Sequence, residues 1–402
     1  MNQILNGKTI LVTVSGPDGP GITARLMKII ASYNVDVLDM GQAVTHGLLS
    51  LSFVLGFNSS SNDCGNVLKD LLFDANGMGL TLSYKVVEEK IHTMEMESDK
   101  FIVTCVSPQK VTASFVADLA QILANYKINI ERIDKVSPKE FSSMEISTSI
   151  PKSLDSKALK SELMKVSTTH KIDVAFLKDN VFRRNKRMIV FDMDSTLIQA
   201  EVIDELAELC GVGAEVKAIT EQAMNGEMDF DESLKMRVSK LKGLKIDRMQ
   251  EVLENLPLTP GVEEFIKTIK ILGYKVALIS GGFTFFADAL KKKLGLDYSF
   301  ANELEVKDGE LTGRVTGTIV NANQKAILVK LIAQQENISL EQVVAIGDGA
   351  NDLPMLAAAG LGIAFHAKDV VRKEAQQHLS HGPMTSILYF LGIPGPNSEE
   401  KF

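Results

Sequence analysis

The chain has 402 residues, of which 45% are hydrophobic and 23% are charged, and its formal net charge at neutral pH is −8. This is the composition of a globular protein with two or three domains, and an acidic chain lacks the basic footprint of nucleic-acid-binding proteins. No apolar run approaches the ~18 residues of a membrane span, and the N-terminal segment lacks the pattern of a signal peptide. The composition therefore argues against nucleic acid and membrane partners.

The three cysteines, Cys64, Cys105 and Cys210, are scattered along the chain without metal-type spacing. An odd and dispersed set of this kind is typical of reduced thiols rather than of a disulfide framework. We therefore expect a soluble cytoplasmic protein.

The first 95 residues alternate between strand and helix patterns. Period-two alternation predicts strands, and a period of about 3.6 residues predicts amphipathic helices. The predicted elements are a strand over 9–15, a helix over 21–33, strands over 35–42 and 48–57, a helix over 64–76 and a strand over 80–87. This order makes one βαββαβ unit.

The same order returns between residues 96 and 180, where Tyr33-Asn-Val-Asp-Val is echoed by Tyr126-Lys-Ile-Asn-Ile. The predicted elements are a strand over 100–106, a helix over 114–126, strands over 128–136 and 142–150, a helix over 157–166 and a strand over 172–177. Two ferredoxin-like units in tandem resemble ACT domains, with bounds at 1–95 and 96–180. The resemblance implies a homodimer, since exposed sheet edges and faces must be covered.

A glycine-rich loop at residues 16–21 joins the first strand to the first helix. Its glycines expose backbone N–H groups at a helix start, although such a loop on its own is more often only a turn. Because this loop is typical of ACT domains that bind amino acids, the resemblance implies an L-serine effector there. The expected contacts are Asp18, Gly19, Gly21 and Ile22. The second unit has Ser107-Pro-Gln-Lys-Val instead, which favours a structural role.

A charged and polar segment, residues 178–187, links these units to a third part that begins with a buried strand over 188–191. The strand carries Asp192 and Asp194 into a loop opened by Ser195. Because strand side chains alternate, both carboxylates point to one side and can meet a single cation or phosphate. An isolated Asp-x-Asp more often caps the next helix, so its meaning depends on the downstream motifs.

Residues 199–258 follow this loop and have helical periodicity throughout. The predicted helices cover 201–209, 215–224, 230–242 and 247–256. A helical insert placed directly after the acidic loop predicts a cap over the site, which we call the lid.

Two further motifs follow the lid. A strand from residue 275 ends in Ser280 and Gly281, which offer a hydroxyl and backbone N–H groups to an anion. Lys325 opens an amphipathic helix. Alone, the first motif is usually a turn and the second a solvated lysine, but beside the aspartates they predict a phosphate site.

A second acidic strand end lies at residues 343–355, where the chain presents Asp348, Asn351 and Asp352. Glycines on both sides of Asp348 are expected to let the backbone turn sharply and leave the carboxylate uncovered. Carboxylate and carbonyl oxygens are the ligands that Mg²⁺ prefers, and no His or Cys lies near either motif, which disfavours zinc. The sequence therefore predicts a magnesium site.

These four motifs, in this order, resemble the haloacid dehalogenase superfamily of phosphotransferases. The resemblance implies a Rossmann-like α/β domain at residues 185–402 with the helical lid, and covalent catalysis in which Asp192 attacks phosphorus to give an aspartyl-phosphate. It implies that Asp194 is the general acid and base. It also implies that Mg²⁺ is held by Asp192, the backbone carbonyl of Asp194 and Asp348, with Asp352 supporting these ligands.

Within that superfamily the lid resembles the phosphoserine phosphatase family, whose members carry a glutamate after the acidic loop and a methionine, a phenylalanine and an arginine in the lid. The matching residues here are Glu201, Met224, Phe230 and Arg237. Arginine can grip a carboxylate, glutamate can pair with an ammonium, and the two apolar side chains can exclude water. The substrate-binding set is expected to include Ser280, Gly281, Lys325 and Asn351 as well.

The expected reaction is hydrolysis of L-phosphoserine to L-serine and phosphate, the last step of L-serine biosynthesis. One alternative is the same chemistry on phosphothreonine or homoserine phosphate. Another is an amino-acid-sensing ACT regulator with a vestigial phosphatase domain, although a decayed site has no reason to keep all of its reactive residues. A phosphoprotein phosphatase is disfavoured because a protein loop would have to thread beneath the lid.

Overall fold

The computed structural model describes residues 8–57, 64–87, 98–138, 140–151, 154, 156–224 and 227–393, without the side chains of residues 98, 156 and 224. The chain divides into two compact units, residues 1–98 and 99–402. Within the described ranges, no helix combines the length and the apolar character needed to cross a lipid bilayer.

The first unit is a four-stranded antiparallel sheet with two helices. Its elements are β1 (Lys8–Pro17), α1 (Ile22–Ser32), β2 (Asp36–Thr45), β3 (Leu48–Phe57), α2 (Cys64–Gly77) and β4 (Thr81–Val87). The strand order is β2-β3-β1-β4, so the two strands that flank α1 in sequence are not neighbours. Alternate residues of β1, including Val12 and Val14, enter a core shared with Leu26 of α1. The predicted βαββαβ unit is confirmed.

The second unit begins with the same arrangement. Its first elements are β5 (Ser98–Val106), α3 (Ala113–Asn125), β6 (Asn129–Lys135), β7 (Ser143–Pro151), α4 (Ser156–His170) and β8 (Asp173–Lys178). The strand order β6-β7-β5-β8 repeats that of the first unit, which confirms the internal repeat. Phe115, Leu119 and Leu123 form the buried stripe of α3.

The rest of the second unit is built around a seven-stranded sheet, with the strand order β12-β11-β10-β9-β13-β14-β15. The strands are β9 (Met188–Phe191), β10 (Lys275–Phe283), β11 (Tyr298–Lys307), β12 (Glu310–Thr316), β13 (Val343–Gly347), β14 (Leu361–Phe365) and β15 (Gln377–Leu379). All neighbouring pairs are parallel except β11 with β12. Ile189 and Phe191 face one apolar core and Met188 and Val190 the other, as in a sheet covered on both faces.

The helices of this part confirm the predicted lid. They are α5 (Val202–Leu209), α6 (Gly213–Met224), α7 (Phe230–Ser239), α8 (Ile246–Asn255), α9 (Val262–Ile271), α10 (Thr284–Leu294), α11 (Ala322–Gln335), α12 (Leu353–Ala358), α13 (Asp369–Glu374) and α14 (Ile387–Phe390). The first four make the lid, whose two connections pair where Gln199 N–H donates to Pro257 O at 2.9 Å. The helix predicted over 230–242 ends earlier, at Ser239, and Lys240 is its C-cap residue.

The hairpin of β11 and β12 was not predicted. Its turn contains Asp308 and Gly309 with φ values of +54° and +82°, and an Asp-Gly pair between alternating residues favours such a turn. The hairpin supports the lid, because Gly243 N–H donates to Leu311 O at 2.8 Å and Leu311 N–H donates to Leu244 O at 2.9 Å.

Candidate active site

The carboxyl end of β9 lies at the centre of the sheet and delivers Asp192 and Asp194. The backbone N–H of Asp192 donates to Ile346 O of β13 at 2.9 Å, which fixes the strand end beside its neighbour. Met193, between them, is fully buried in the apolar core. Its two neighbours therefore turn away from that core, as the strand alternation predicts.

Lys325 of α11 is completely buried and forms two ion pairs. Its Nζ donates to Asp192 Oδ1 at 2.7 Å and to Asp352 Oδ1 at 2.6 Å. Burial alone would lower the pKa of Lys325, but the attraction of Asp192 and Asp352 outweighs it and raises the pKa. The lysine is therefore a fixed positive charge against the carboxylate of Asp192.

Three carboxylates gather around this lysine. Oxygen atoms of Asp192, Asp348 and Asp352 lie within 4.8 Å of one another. Burial raises the pKa of Asp192 well above its usual value, and burial together with the charge of Asp352 raises that of Asp348 to about 7. One ammonium cannot balance three carboxylates, so the donor set and its excess negative charge fit a hard divalent cation.

The turn after β13 needs its two glycines for space. A Cβ on Gly347 would lie 2.5 Å from Asp352 Cγ, and one on Gly349 would lie 2.1 Å from Asn351 Oδ1. Neither glycine has a positive φ, so the requirement for glycine at these two positions is one of space rather than of a left-handed backbone. Close approach of Asp352 and Asn351 is what excludes a side chain here.

Asp194 lies between the strand end and the lid. Its Oδ1 accepts a hydrogen bond from Val202 N–H at 3.0 Å, and its Oδ2 lies 3.5 Å from Ser280 Oγ. Burial, with the nearby charge of Glu201, raises the pKa of Asp194 to about 7. A carboxyl group with such a pKa can give and take a proton near neutral pH.

Ser280 and Gly281 lie at the carboxyl end of β10, next to β9. Asn302, on β11, holds this strand end: its Nδ2 donates to Gly281 O at 2.7 Å, and its Oδ1 accepts from Val320 N–H at 2.8 Å. Asn302 is fully buried and was missed from the sequence. Thr196 was also missed as a site residue, and its Oγ1 donates to Asp348 Oδ1 at 3.0 Å.

The lid brings charged and apolar groups over this strand end. Glu201 accepts a hydrogen bond from Ser195 Oγ at 2.8 Å, and Ser195 has the unusual φ of +55°. Phe230 covers Gly281 so closely that a Cβ on the glycine would lie 3.0 Å from the ring. Burial lowers the pKa of Arg237, whose charge is attracted by Asp204, Glu201 and Asp194.

The lid is in contact with the core through Asn321, whose Nδ2 donates to Asp231 Oδ1 at 3.0 Å. Met224 ends α6, and its side chain lies outside the described residues. Asn351 lies in the short turn Ala350–Asp352, folded over Gly349. The structure therefore brings together most of the predicted set.

The predicted effector loop belongs to the first unit. Gly21 stands at the start of α1 with a φ of +93° and open space around its α-carbon, and Asp18 is exposed. Ile22 is buried in the unit's core, which leaves only its backbone for a ligand. At the corresponding position of the second βαββαβ repeat, Thr112 caps α3 instead, and its side chain accepts a hydrogen bond from Phe115 N–H at 3.3 Å.

Comparison with known proteins agrees with these observations. The haloacid dehalogenase-like hydrolase family matches residues 186–360, and ACT domain families match residues 8–85 and 102–177. Phosphoserine phosphatase SerB2 of Mycobacterium tuberculosis is 38% identical over 96% of this chain and 93% of its own length. The phosphoserine phosphatase of Streptomyces coelicolor is 38% identical over 98% of this chain and 94% of its own length.

A solved structure is also similar. The unliganded probable phosphoserine phosphatase of Vibrio cholerae is 39% identical, with a TM-score of 0.59 over 73% of this chain and 86% of that one. The 38% identity to two relatives over nearly the whole chain, together with the matched families, shows the family of this chain. This chain therefore belongs to the phosphoserine phosphatase family of haloacid dehalogenase-like hydrolases and carries two ACT domains before its hydrolase domain.

Proposed function

We propose that this chain hydrolyses L-phosphoserine to L-serine and phosphate, as the last step of L-serine biosynthesis. The observation that carries the proposal is the buried contact of Lys325 with Asp192, beside Asp194 and beneath a lid that presents Arg237 and Glu201. This arrangement supplies a nucleophile whose negative charge is offset by Lys325, a group that can carry a proton, and a recognition site for an amino acid.

In the first step Asp192 attacks phosphorus, a new bond forms between its oxygen and phosphorus, and the ester bond to the serine oxygen breaks. Asp194 gives its proton to that oxygen. In the second step Asp194, now ionised, takes a proton from a water molecule that attacks the aspartyl-phosphate and releases phosphate. A pKa of about 7 for Asp194 is suited to both roles.

We propose Mg²⁺ as the cofactor, which Asp192, Asp348 and the backbone carbonyl of Asp194 would hold. Asp352 would support these ligands without binding the ion directly. When bound, the cation supplies positive charge that lets an anionic phosphate approach a carboxylate. The support for this assignment is the all-oxygen cluster of three carboxylates within 4.8 Å. Lys325 adds a second, permanent positive charge at the same carboxylate.

Residues of the lid would bind the amino-acid part of the substrate. Arg237 would bind the carboxylate bidentately, Glu201 would bind the ammonium, and Phe230 with Met224 would exclude water. The hydroxyl of Ser280, the backbone of Gly281 and Asn351 would hold the phosphate with Lys325. The contact of Phe230 with Gly281 supports these roles, because it places an apolar side chain of the lid beside the backbone proposed to bind phosphate.

The ACT domains would serve assembly and feedback. We propose that the two ACT domains span residues 1–95 and 96–180 and that the hydrolase domain spans 185–402, with the lid at about 199–258. L-Serine would bind the first ACT domain at Asp18 to Ile22, and the chain would form a homodimer through these domains. The three cysteines are free, which is consistent with the cytoplasm as the place of the reaction.

One assay tests the proposal. Phosphate release is measured for L-phosphoserine, phosphothreonine, homoserine phosphate and a phosphate ester without an amino acid, each with Mg²⁺ and with a chelator. L-Phosphoserine with Mg²⁺ is expected to give the highest kcat/KM. A higher value for either other amino-acid ester would reassign the substrate, and no release from any ester would leave the chain as an amino-acid sensor.

A further inference from the structure

A cavity of about 520 Å³ lies between the second ACT domain and the hydrolase domain, within the second compact unit. One wall is β8 with Lys160 of α4. The other wall is formed by the segments that precede β13 and β14, including Glu341 and Gly360. A second cavity of about 270 Å³ adjoins it, because Lys178, Glu341 and Gly360 line both.

Buried hydrogen bonds fix the two walls relative to each other. The side chain of Gln377 accepts from Phe176 N–H at 2.9 Å and donates to Phe176 O at 2.7 Å. Asp173, fully buried at the start of β8, accepts from Ser380 N–H at 2.6 Å and from Gly382 N–H at 2.9 Å. The cavity is therefore a preformed feature of a tight domain junction.

The cavity walls are strongly basic. Among the described residues that line the two cavities, four are cationic and one, Glu341, is acidic. The cationic residues are Lys160, Lys178, Arg183 and Lys186. Asp99 lies outside this lining, 3.8 Å from Lys178 Nζ. In a chain with a formal net charge of −8, such a local excess of cations requires an explanation.

Two of the cations are buried with incomplete partners. Arg183 is 4% exposed; its Nη2 pairs with Glu145, but its Nε and Nη1 have no hydrogen-bond partner among the described residues. Lys186 is 7% exposed, and its Nζ donates to the backbone oxygen of Glu341 at 2.6 Å. Burial lowers the pKa of Lys186 to about 8, and Glu341 offsets only part of that effect. An anion in the second cavity would give the ammonium of Lys186 a further acceptor and would lie beside the buried charge of Arg183.

We propose that this junction is a binding site for a small dianion, either a phosphate ester or a dicarboxylate. It is separate from the active site. The five residues of β13 lie between Glu341 at the cavity and Asp348 at the catalytic edge, and at ~3.3 Å per residue they span on the order of 15 Å. A ligand here contacts both the second ACT domain and the hydrolase domain. Its role is therefore that of an effector rather than a substrate.

The test is a calorimetric titration of the full chain with inorganic phosphate, and separately with malonate, in the presence of a chelator. The wild type is compared with the Lys178→Gln/Lys186→Gln variant, which removes two of the four cations that line the cavities. The variant is expected to lose at least about tenfold in affinity for one of the two dianions, while retaining any binding at the active site. The dianion that loses more affinity identifies the ligand class.

A charge-matched control is Lys267→Gln/Lys292→Gln, whose side chains are exposed on α9 and α10. It should bind both dianions as the wild type does. If the double variant at the junction is unstable, the exposed Lys178→Gln alone should still weaken binding by about threefold or more. Isotherms that are the same for wild type and both junction variants would overturn the proposal.

Discussion

Lys325 is the residue on which the charge balance of the catalytic site depends. Its ammonium is completely buried and contacts two carboxylates, while a third carboxylate, Asp348, has no cation of its own among the described contacts. Removing one partner of a buried ion pair leaves an uncompensated charge, which costs several kcal/mol. This network explains why the two Asp-containing motifs and the lysine must occur together.

Arg237 is predicted to determine selectivity at the residue scale. Arg237→Ala should reduce kcat/KM for L-phosphoserine much more than for a phosphate ester without a carboxylate, because the second substrate cannot lose an interaction that it never made. Loss of a desolvated charge pair costs on the order of 2–5 kcal/mol, which corresponds to a factor of about 30 or more. Steady-state kinetics on both substrates measures the difference.

Arg248→Ala is the matched control, since that arginine lies on α8 of the same lid with about half of its side chain exposed (49%). Arg248→Ala should leave kcat/KM unchanged for both substrates. If Arg237→Ala reduced kcat/KM equally for both substrates, Arg237 would hold the lid together rather than read the substrate.

At the scale of the elements, the sheet determines which residues meet. The reactive residues were predictable because their chemistry requires carboxylates, a hydroxyl and a lysine at strand ends and helix starts. The support from Asn302 was not, because its role depends on β11 lying beside β10, which local periodicity does not reveal. The hairpin was missed because β11 and β12 follow no reactive motif, although the Asp308-Gly309 pair could have indicated its turn.

The turn after β13 gives a prediction at this scale. Gly347→Ala should reduce kcat by at least about tenfold, because its Cβ would lie 2.5 Å from Asp352 Cγ and would push that carboxylate away from Lys325. Gly65→Ala is the control, since no atom lies within 4 Å of the corresponding Cβ on α2. Wild-type kcat for Gly347→Ala, measured on a folded protein, would show that Asp352 is not needed.

At the scale of the whole molecule, the second ACT domain and the hydrolase domain form one compact unit, and the first ACT domain forms another. The tandem repeat predicted two similar ACT domains but not this difference between them. The reason is tertiary: Gln377 and Asp173 make their contacts across more than 200 residues of sequence, separations of 201 and 209. No local pattern carries such information.

Serine inhibition tests the role of the first unit. Asp18→Ala should abolish inhibition by L-serine and leave kcat/KM without serine unchanged, because Asp18 is exposed in the loop proposed to bind serine and is far in sequence from the motifs of the hydrolase domain. Gln109→Ala, at the equivalent loop of the second ACT domain, should keep the inhibition. Unchanged inhibition in Asp18→Ala would mean that serine acts as a product at the Arg237 pocket.

The stability of the metal-free protein should depend on pH in an unusual direction. Folding raises the pKa of Asp194 and of Asp348 to about 7, from values near 4 in the unfolded chain. Between those values the unfolded state releases protons that the folded state keeps, so the free energy of unfolding falls as pH rises. In a chelator, the melting temperature should therefore fall between about pH 5 and about pH 7.5.

Mg²⁺ should remove most of this fall, because it binds the ionised carboxylates and its stabilisation grows as they lose their protons. The Asp348→Asn variant should show a smaller effect of Mg²⁺. Differential scanning fluorimetry across this pH range measures both curves. A melting temperature that rises with pH in the chelator, or a Mg²⁺ effect unchanged in Asp348→Asn, would contradict the assigned cluster.

The most direct test of covalent catalysis is to trap the phosphorylated intermediate on Asp192. Enzyme turning over L-phosphoserine labelled with radioactive phosphorus is quenched in acid, and the label on the protein is counted and located by digestion. Covalent catalysis by Asp192 predicts label at Asp192 in the wild type and none in Asp192→Asn, which should be folded but without activity. No label in the wild type, or undiminished label in Asp192→Asn, would contradict it.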